Sequence, residues 1–297
     1  DTGPRISGLV SNRRTGSFGH RYRVDALISE VRNQVGLNYQ IPLDTPLTDR
    51  YEASAGYQTE DLDEMSSELI LLEFKRVYVK PDRWTRTWYI KAQHESFDIG
   101  DISGTSTLIL PGVRWEQSEA DDPIFPNKGF RMMADLSFST DFLFSDTTLV
   151  QGLFKTKWIF SPFERFRVIL RGDAGVTWIN EFEELPTSLR FFAGGDQSVR
   201  GFGYKSLGPR EAGEVIGGEY LLVGSAELEY RMSEEWLVAI FTDEGNAFDE
   251  IDDDLENSIG FGIRWLSPIG PVRIDYAFPT TEDDFDGRLH IYIGPDL

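Results

Sequence analysis

The chain has 297 residues, no cysteine and a formal net charge of -21 at pH 7. This acidity argues against nucleic-acid binding, because a nucleic-acid partner requires a basic face that neutralises phosphates. A mean hydropathy of -0.32, with no run of roughly 20 apolar residues, excludes helical membrane spans. The 13 % aromatic content, the 28 glycines and the missing cysteines are typical of an envelope protein that folds as sheet.

Apolar and polar residues alternate with a period of two along most of the chain, which predicts β-strands. After Gly218, for example, Leu222 and Leu228 alternate with Glu227 and Glu229. The segments of about 8 to 14 residues suit tilted membrane strands, and charged inner faces suit a wet lumen. A soluble β-sandwich is the alternative.

We predict an all-β, antiparallel transmembrane barrel with about fifteen recognisable strands. The strands are predicted near 5–13, 19–31, 36–42, 51–59, 66–78, 84–97, 105–116, 130–142, 147–160, 165–178, 218–232, 235–243, 258–266, 271–278 and 288–294.

Short and long connections alternate along the chain. The short turns are predicted at 80–82, 161–164, 233–235 and 267–271, and the longer connections at 98–104, 180–217, 244–257 and 279–287. Bacterial barrels have short periplasmic turns and an even strand number, so we expect one further strand before Asp1-Thr2-Gly3. The acidic run 249–256 is expected to be a solvated loop, because the glycine-punctuated spacing of a calcium site is missing.

The longest connection, at about 179–217, contains a glycine-rich motif, and connections of this length are usually functional. If the loop folds back into the barrel, Arg200 requires acidic partners, because a desolvated guanidinium is costly when unpaired. The inner faces of the following strands offer Glu227, Glu229 and Asp243. The candidate residues of the loop motif are Gly194, Gly195, Asp196, Val199, Arg200, Gly201 and Phe202.

Residues 192–202 resemble the signature of the sixth extracellular loop in outer-membrane assembly barrels. This superfamily includes BamA, TamA and the two-partner secretion transporters. The segment Phe241-x-Asp243-x-Gly245 resembles the partner motif of that loop. The resemblance implies that Arg200 and Asp243 form the loop-to-wall ion pair, with Glu229 as the aligned acidic residue on the preceding strand. It covers essentially the whole chain, and several stretches are similar to TamA-like proteins in particular.

The resemblance implies a sixteen-stranded, monomeric barrel of the bacterial outer membrane, embedded in lipid and preceded by POTRA domains. This sequence contains no POTRA domain, so residues 1–297 are expected to form a single barrel domain. TamA-like proteins help to insert client outer-membrane proteins such as autotransporters, and they work with a periplasmic partner, TamB. Clients would add to a lateral seam between the first and last strands. The seam strand here would present Leu289, Ile291 and Ile293 to lipid, and Gly294 either kinks inward or ends the strand.

Three other functions are weighed against this one. A two-partner secretion transporter, which exports a protein through the lumen, shares the loop motif. An outer-membrane hydrolase is less consistent, because the three histidines His20, His94 and His290 show no triad spacing and read as surface or lumen residues. A passive porin would not need the loop motif. No metal or cofactor is expected, since no ligand cluster or nucleotide fingerprint is present. The chain is therefore expected to be non-enzymatic.

Overall fold

The structure is a computed structural model that describes residues 5–16, 18–62, 65–251, 253–267, 270–281 and 286–297. Within these ranges fifteen strands form one antiparallel sheet in chain order. They are β1 Arg5–Thr15, β2 His20–Ser29, β3 Arg32–Pro42, β4 Asp49–Leu62, β5 Met65–Val79, β6 Thr85–Ile99, β7 Ile102–Ala120, β8 Gly129–Ser139, β9 Leu149–Phe163, β10 Phe166–Ile179, β13 Tyr220–Arg231, β14 Trp236–Phe248, β15 Glu256–Ser267, β16 Gly270–Pro279 and β17 Arg288–Ile293. The small hairpin β11 Arg210–Glu211 and β12 Glu214–Val215 lies in the long loop. The all-β prediction with about fifteen strands is confirmed.

The two faces of the sheet have opposite chemistry, as β14 shows. Leu237, Ala239 and Phe241 point inward and are at most 5 % exposed, whereas Val238 and Ile240 point outward and are 39 % and 61 % exposed. Charged side chains are buried on the inner face; examples are Glu95, Glu227, Glu229, Asp243 and Arg264. An apolar outer face with charges inside is the reverse of a soluble sandwich and suits a sheet that is surrounded by lipid.

The sheet curls around the loop that joins β10 to β13. Fifteen strands about 4.8 Å apart would extend over roughly 65 Å if the sheet were flat. One loop nevertheless makes hydrogen bonds to strands near both ends of the sheet; its partners include Glu60 of β4, Glu95 of β6, Gln151 of β9, Asp243 of β14 and His290 of β17. The strands therefore enclose a bore. β1 and β17 are the two edges, and no register between described residues pairs them.

Aromatic side chains on the outer face form a belt near each end of the strands. At the end of the bore where β13 turns into β14, Trp236 stacks on Trp265 with ring centroids 6.1 Å apart. At the opposite end, Tyr220 stacks on Phe248 at 5.6 Å. The length of β14 between these belts is about 40 Å, which becomes about 28 Å across a membrane when the strand tilts by about 45°. This distance fits the hydrocarbon core of a bilayer.

The connections differ from the prediction at several places, most of all between β6 and β7. β9 continues to Phe163 within the predicted turn 161–164, and β14 continues to Phe248 within the predicted connection 244–257. Residues 98–104 do not form a longer connection, because β6 continues to Ile99 and β7 begins at Ile102. Gly100 has φ 57° and allows a turn of two residues, so Asp98 and Gly104 belong to the strands. The predicted loop at Asp1-Thr2-Gly3 lies outside the described residues, as do 268–269, 282–285 and Asp252 within other predicted connections.

No helix among the described residues is long and apolar enough to cross a membrane.

Candidate functional site

The loop between β10 and β13 folds back on itself through two isolated β-bridges. Phe191 pairs with Gly218, and Ala193 pairs with Leu207. Gly194 has φ 94°, and a side chain there would collide with the carbonyl oxygen of Gly203. Only glycine accommodates this backbone crossing, so the glycines of the motif allow the loop to double back tightly.

Apolar residues of the loop pack against the inner wall of the bore. Val199 and Phe202 are buried and contact Val223 of β13 and Ala247 of β14 within one hydrophobic cluster. Burial of an apolar side chain of this size contributes roughly 1.5 to 3 kcal/mol. The two apolar residues of the motif therefore hold the loop against β13 and β14 on either side of Arg200.

Arg200 lies between these apolar contacts and binds carboxylates from three strands. Its Nε and Nη2 donate to the two oxygens of Asp243 at 2.7 and 2.9 Å, and its backbone N–H donates to the same carboxylate at 3.0 Å. Its Nη1 donates to Glu227 at 2.8 Å and to Asp275 at 3.0 Å. The guanidinium also lies 3.4 Å from the ring centroid of Phe241. Burial alone lowers the pKa of Arg200, but the adjacent carboxylates more than offset this effect and raise it.

A second buried arginine, Arg264 of β15, completes the charge balance. It donates to Glu227 at 2.7 Å, to Glu229 at 3.1 Å and to Asp275 at 2.5 Å. Glu227 and Asp275 thus join the two arginines into one network. Two carboxylates shared by two arginines satisfy buried charges that would otherwise carry a large desolvation penalty. The inner-face position of Arg264 is readable from the alternation, but its partners are not.

Glu229, the residue that the resemblance aligned with the loop, makes no contact with Arg200 among the described residues. Its carboxylate accepts hydrogen bonds from Arg264 and from Arg167 of β10. Ser225 of β13 lies opposite Asp243, and Glu229 lies four residues further along the strand. Every second residue of a strand faces inward, so Glu229 lies about 13 Å from Ser225 along β13, whereas Glu227 lies only about 7 Å from it. Glu227 therefore takes the position beside Arg200.

The loop also contacts the last strand through His290, which the sequence analysis predicted only as a surface or lumen residue. Its Nδ1 lies 2.5 Å from Asp196, and its Nε2 accepts the backbone N–H of Gly201 at 2.9 Å. The amide of Gly201 can only donate, so Nε2 is the unprotonated nitrogen and Nδ1 donates to Asp196. The side chain is buried. Two residues of the motif are thereby joined to the edge of the sheet.

The remaining candidate residues define the edge of β17. Leu289, Ile291 and Ile293 are each more than half exposed on the outer face. After Gly294, which has φ 153°, the chain turns into the bore. There the carboxylate of Asp296 is buried between Arg167 and Arg273. Gly195 closes a small turn within the loop, since its N–H donates to Val199.

The model for the Omp85 superfamily domain matches residues 10–295, which is nearly the entire chain. The chain belongs to the Omp85 superfamily. It is 25 % identical to the outer membrane protein assembly factor BamA of Nitratidesulfovibrio vulgaris over 305 aligned residues, and the match covers 96 % of the chain and 38 % of that protein. The chain thus spans about two fifths of the length of this relative.

Solved Omp85 structures share the fold. BamA from Haemophilus ducreyi lacking POTRA domains 1–3 superposes with a TM-score of 0.83 at 16 % identity, over 99 % of this chain and 66 % of that one. CdiB from Acinetobacter baumannii superposes with a TM-score of 0.60 at 12 % identity, over 98 % and 56 %. The chain is an Omp85 outer-membrane β-barrel. The relative from Nitratidesulfovibrio vulgaris is named an assembly factor, and this Omp85 chain is accordingly classed as non-enzymatic.

The described part of this Omp85 barrel holds no group of three or more histidine and acidic residues placed to bind a metal ion. Many charged residues of the bore instead pair with one another, as in the network around Arg200 and Arg264. The arrangement can fix the position of a loop and of the strands that line it.

Proposed function

We propose that the chain is the barrel of a TamA-like insertase, which assembles outer-membrane clients such as autotransporters at a lateral seam between its first and last strands. Residues 1–297 then form a single transmembrane barrel domain, with the loop at about 179–217 in the lumen. The observation that carries the proposal is the buried anchoring of this loop by Arg200 to Asp243 and Glu227. A loop held this firmly obstructs the bore. The edges of the sheet therefore remain as the site at which client strands are inserted.

Insertion at an edge follows from the chemistry of backbone groups in lipid. The hydrocarbon core offers no hydrogen-bond partners, so an unpaired client strand is unstable there. The edge strand β17 presents apolar side chains outward at Leu289, Ile291 and Ile293, with backbone donors and acceptors along one side. A client strand that adds to this edge gains hydrogen bonds and keeps its own apolar face in lipid.

In this proposal the site residues position structure and perform no covalent chemistry. Arg200 and Asp243 fix the loop, while Glu229 acts through Arg264, with which it shares a hydrogen bond. The glycines of the motif allow the loop to fold tightly, and Gly294 directs the end of β17 into the bore. A TamB-like periplasmic protein, client outer-membrane proteins and the lipid bilayer are the proposed partners of a monomeric barrel.

The second candidate is a two-partner secretion transporter, and the similarity of the fold to that of CdiB supports it. Export through the lumen would require the loop to leave the bore. That movement would break the hydrogen bonds of Arg200 to three strands and expose the buried Val199 and Phe202. The free energy lost in breaking these contacts favours the seam over the lumen as the path of the client.

The test is the substitution Arg200→Ala in the full-length protein, expressed in cells that depend on it. Surface display of an autotransporter should fall about tenfold or more, since a buried ion network loses its cation. Lys205→Ala is the matched control, because Lys205 lies in the same loop and its side chain, paired with Glu60, is more exposed than that of Arg200. Normal autotransporter display by a folded Arg200→Ala barrel would refute the proposal, and loss of a secreted exoprotein from the medium would favour the transporter.

A further inference from the structure

Three basic side chains lie side by side across the inner face of β8, β9 and β10. The strand register places Arg131 opposite Lys157, and Lys157 opposite Arg171. Like charges directly opposite one another destabilise a sheet unless an anion compensates them. We call these three residues the basic row. Uncompensated cations are unexpected in a protein whose net charge is -21, because abundant acidic residues could have been placed beside the basic row.

The basic row lines a cavity of about 460 Å³ in the bore, together with Arg273 and the end of the chain. Four side-chain carboxylates also line this cavity, and each is paired with another cation or with His290. Their partners are Lys155 for Asp173, His290 for Asp196, Arg200 and Arg264 for Glu227, and Arg167 and Arg273 for Asp296. The cavity therefore has no side-chain carboxylate left over for the centre of the row.

The cations of the row differ in how far they are satisfied. Arg131 pairs with Glu116 at 2.7 Å on its exposed side. Arg171 donates through Nη2 to the carbonyl of Ser198, while its Nε is buried without a hydrogen-bond partner. Lys157 makes no hydrogen bond or ion pair with any residue that the structure describes. Unsatisfied cations facing a cavity are the arrangement expected of a site that receives acidic groups.

The chain itself supplies an example of such an occupant. Its last residues lie in the same cavity, and the carboxylate of Asp296 binds Arg167 and Arg273 at one edge. The cavity thus accommodates a peptide segment that carries an acidic side chain. The basic row continues from this point along the wall, with its outer cations separated by two strand spacings, or about 10 Å.

We propose that the basic row binds an acidic peptide segment in extended conformation. Side chains on one face of an extended peptide recur about every 7 Å, so two carboxylates two residues apart can bridge the three cations of the row. Each carboxylate would form charge-assisted hydrogen bonds with Lys157 and a neighbouring arginine. The site belongs to the wall opposite the seam in strand order, and its existence does not depend on insertion at the seam.

The test is peptide binding to the purified full-length protein in zwitterionic detergent at low ionic strength. The probe is a fluorescein-labelled peptide of alternating glycine and aspartate, followed by fluorescence anisotropy. Lys157→Gln should weaken binding about tenfold, the effect expected when one charge-assisted hydrogen bond is lost. Lys157→Arg should retain it, and a peptide of glycine and asparagine should not bind. Added salt should weaken binding because it screens the charges.

The matched control is Lys75→Gln, which removes the same charge from the inner wall. Lys75 is already paired with Glu73 at 2.8 Å and with Glu52 at 3.7 Å, so its loss should change the affinity less than twofold. Heat-modifiable gel mobility verifies that each variant is folded. Equal weakening by both substitutions, or binding of inorganic pyrophosphate without binding of the peptide, would overturn the proposal. Neither result would bear on client assembly at the seam, which the autotransporter display assay of Arg200→Ala tests separately.

Discussion

The two ends of the sheet are held in different ways. In β13 to β17 the inner face is dense with buried charges and with loop residues that pack against it. In β1 to β3 no described side chain is buried. Polar contacts there are partly solvated, such as the 2.7 Å hydrogen bond between His20 and Tyr39. The last strands are thus fixed by the loop, whereas the first strands depend mainly on ladder hydrogen bonds.

Ladder length alone would predict the opposite order of stability. β17 pairs with β16 over the six positions Val272 to Ala277, whereas β1 pairs with β2 over nine positions. At about 1 kcal/mol for each net hydrogen bond, the shorter ladder is weaker by a few kcal/mol. The loop contacts of His290 and the buried end of the chain compensate for this difference. The comparison indicates that the loop determines how readily the last strand separates.

The largest expected effect comes from removing the anchor of the loop. Asp243→Ala leaves Arg200 buried with two of its three carboxylate partners, and it removes the bidentate pair. Loss of one partner of a buried pair typically costs about 3 to 5 kcal/mol. The barrel of this variant should therefore convert to its unfolded mobility at a clearly lower temperature on semi-native gels.

The control for this substitution is Asp49→Ala. Asp49 also binds an arginine through two hydrogen bonds, but Arg76 is 45 % exposed at the side-chain level. Exposed pairs contribute about 1 kcal/mol or less, so the gel transition should hardly move. Similar destabilisation by the two substitutions would contradict the conclusion that the buried loop anchor stabilises the barrel more than an exposed ion pair does.

A smaller effect is expected at His290. His290→Ala removes one hydrogen bond to Asp196 and one from Gly201 without disturbing the arginine network. The loss should amount to about 1 to 3 kcal/mol and should be confined to the edge. Amide hydrogens of β17 should exchange about 10 to 100 times faster, measured by hydrogen–deuterium exchange with mass spectrometry.

His20→Ala is the matched substitution at the other edge, because His20 also makes one defined side-chain hydrogen bond between neighbouring strands. We expect little change in the exchange of β2 there. If β17 kept its protection in the His290→Ala variant, the loop contact would not be what holds the last strand.

The sequence predicts the strands well because the period-two pattern is a local property of the chain. It also predicts that Arg200 requires carboxylates, since burial of a guanidinium demands them. Periodicity identifies which face a residue occupies, but not its height along the bore. Glu227 and Glu229 lie about 7 Å apart along β13. The choice between them therefore depends on the height at which the loop meets that strand.

Contacts between distant strands are harder to predict. His290, Asp275 and Asp296 take their roles only when the sheet curls and brings β16 and β17 against the loop and β10. No short-range pattern in the sequence encodes that approach. One unusual feature could be read from the sequence, namely the charge of Arg264 on the inner face of β15, after Ser258, Gly260 and Gly262.

The smallest expected effect concerns pH at the mouth of the bore, where Glu219 and Asp249 join the loop to β13 and β14. Burial, followed by the charge of Asp249, raises the pKa of Glu219. Burial, followed by nearby acidic groups, raises the pKa of Asp249, although the N–H of Glu219 donates to it at 2.9 Å. A carboxylate whose pKa is raised by folding adds stability below its unfolded value, and this stability is lost as pH rises through the folded value.

Folding at this end should therefore strengthen slightly as pH falls from 7 toward the ordinary carboxylate range near 4. Asp249 is exposed, and solvent screening limits the change to about 0.3 kcal/mol. Amide exchange at the start of β13 should slow modestly over this range. Asp249→Asn should reduce the pH dependence, because the amide still accepts the N–H of Glu219 but cannot titrate. The part that comes from the burial of Glu219 should remain. An unchanged pH profile in Asp249→Asn would assign the whole effect to other groups and would exclude Asp249 as its source.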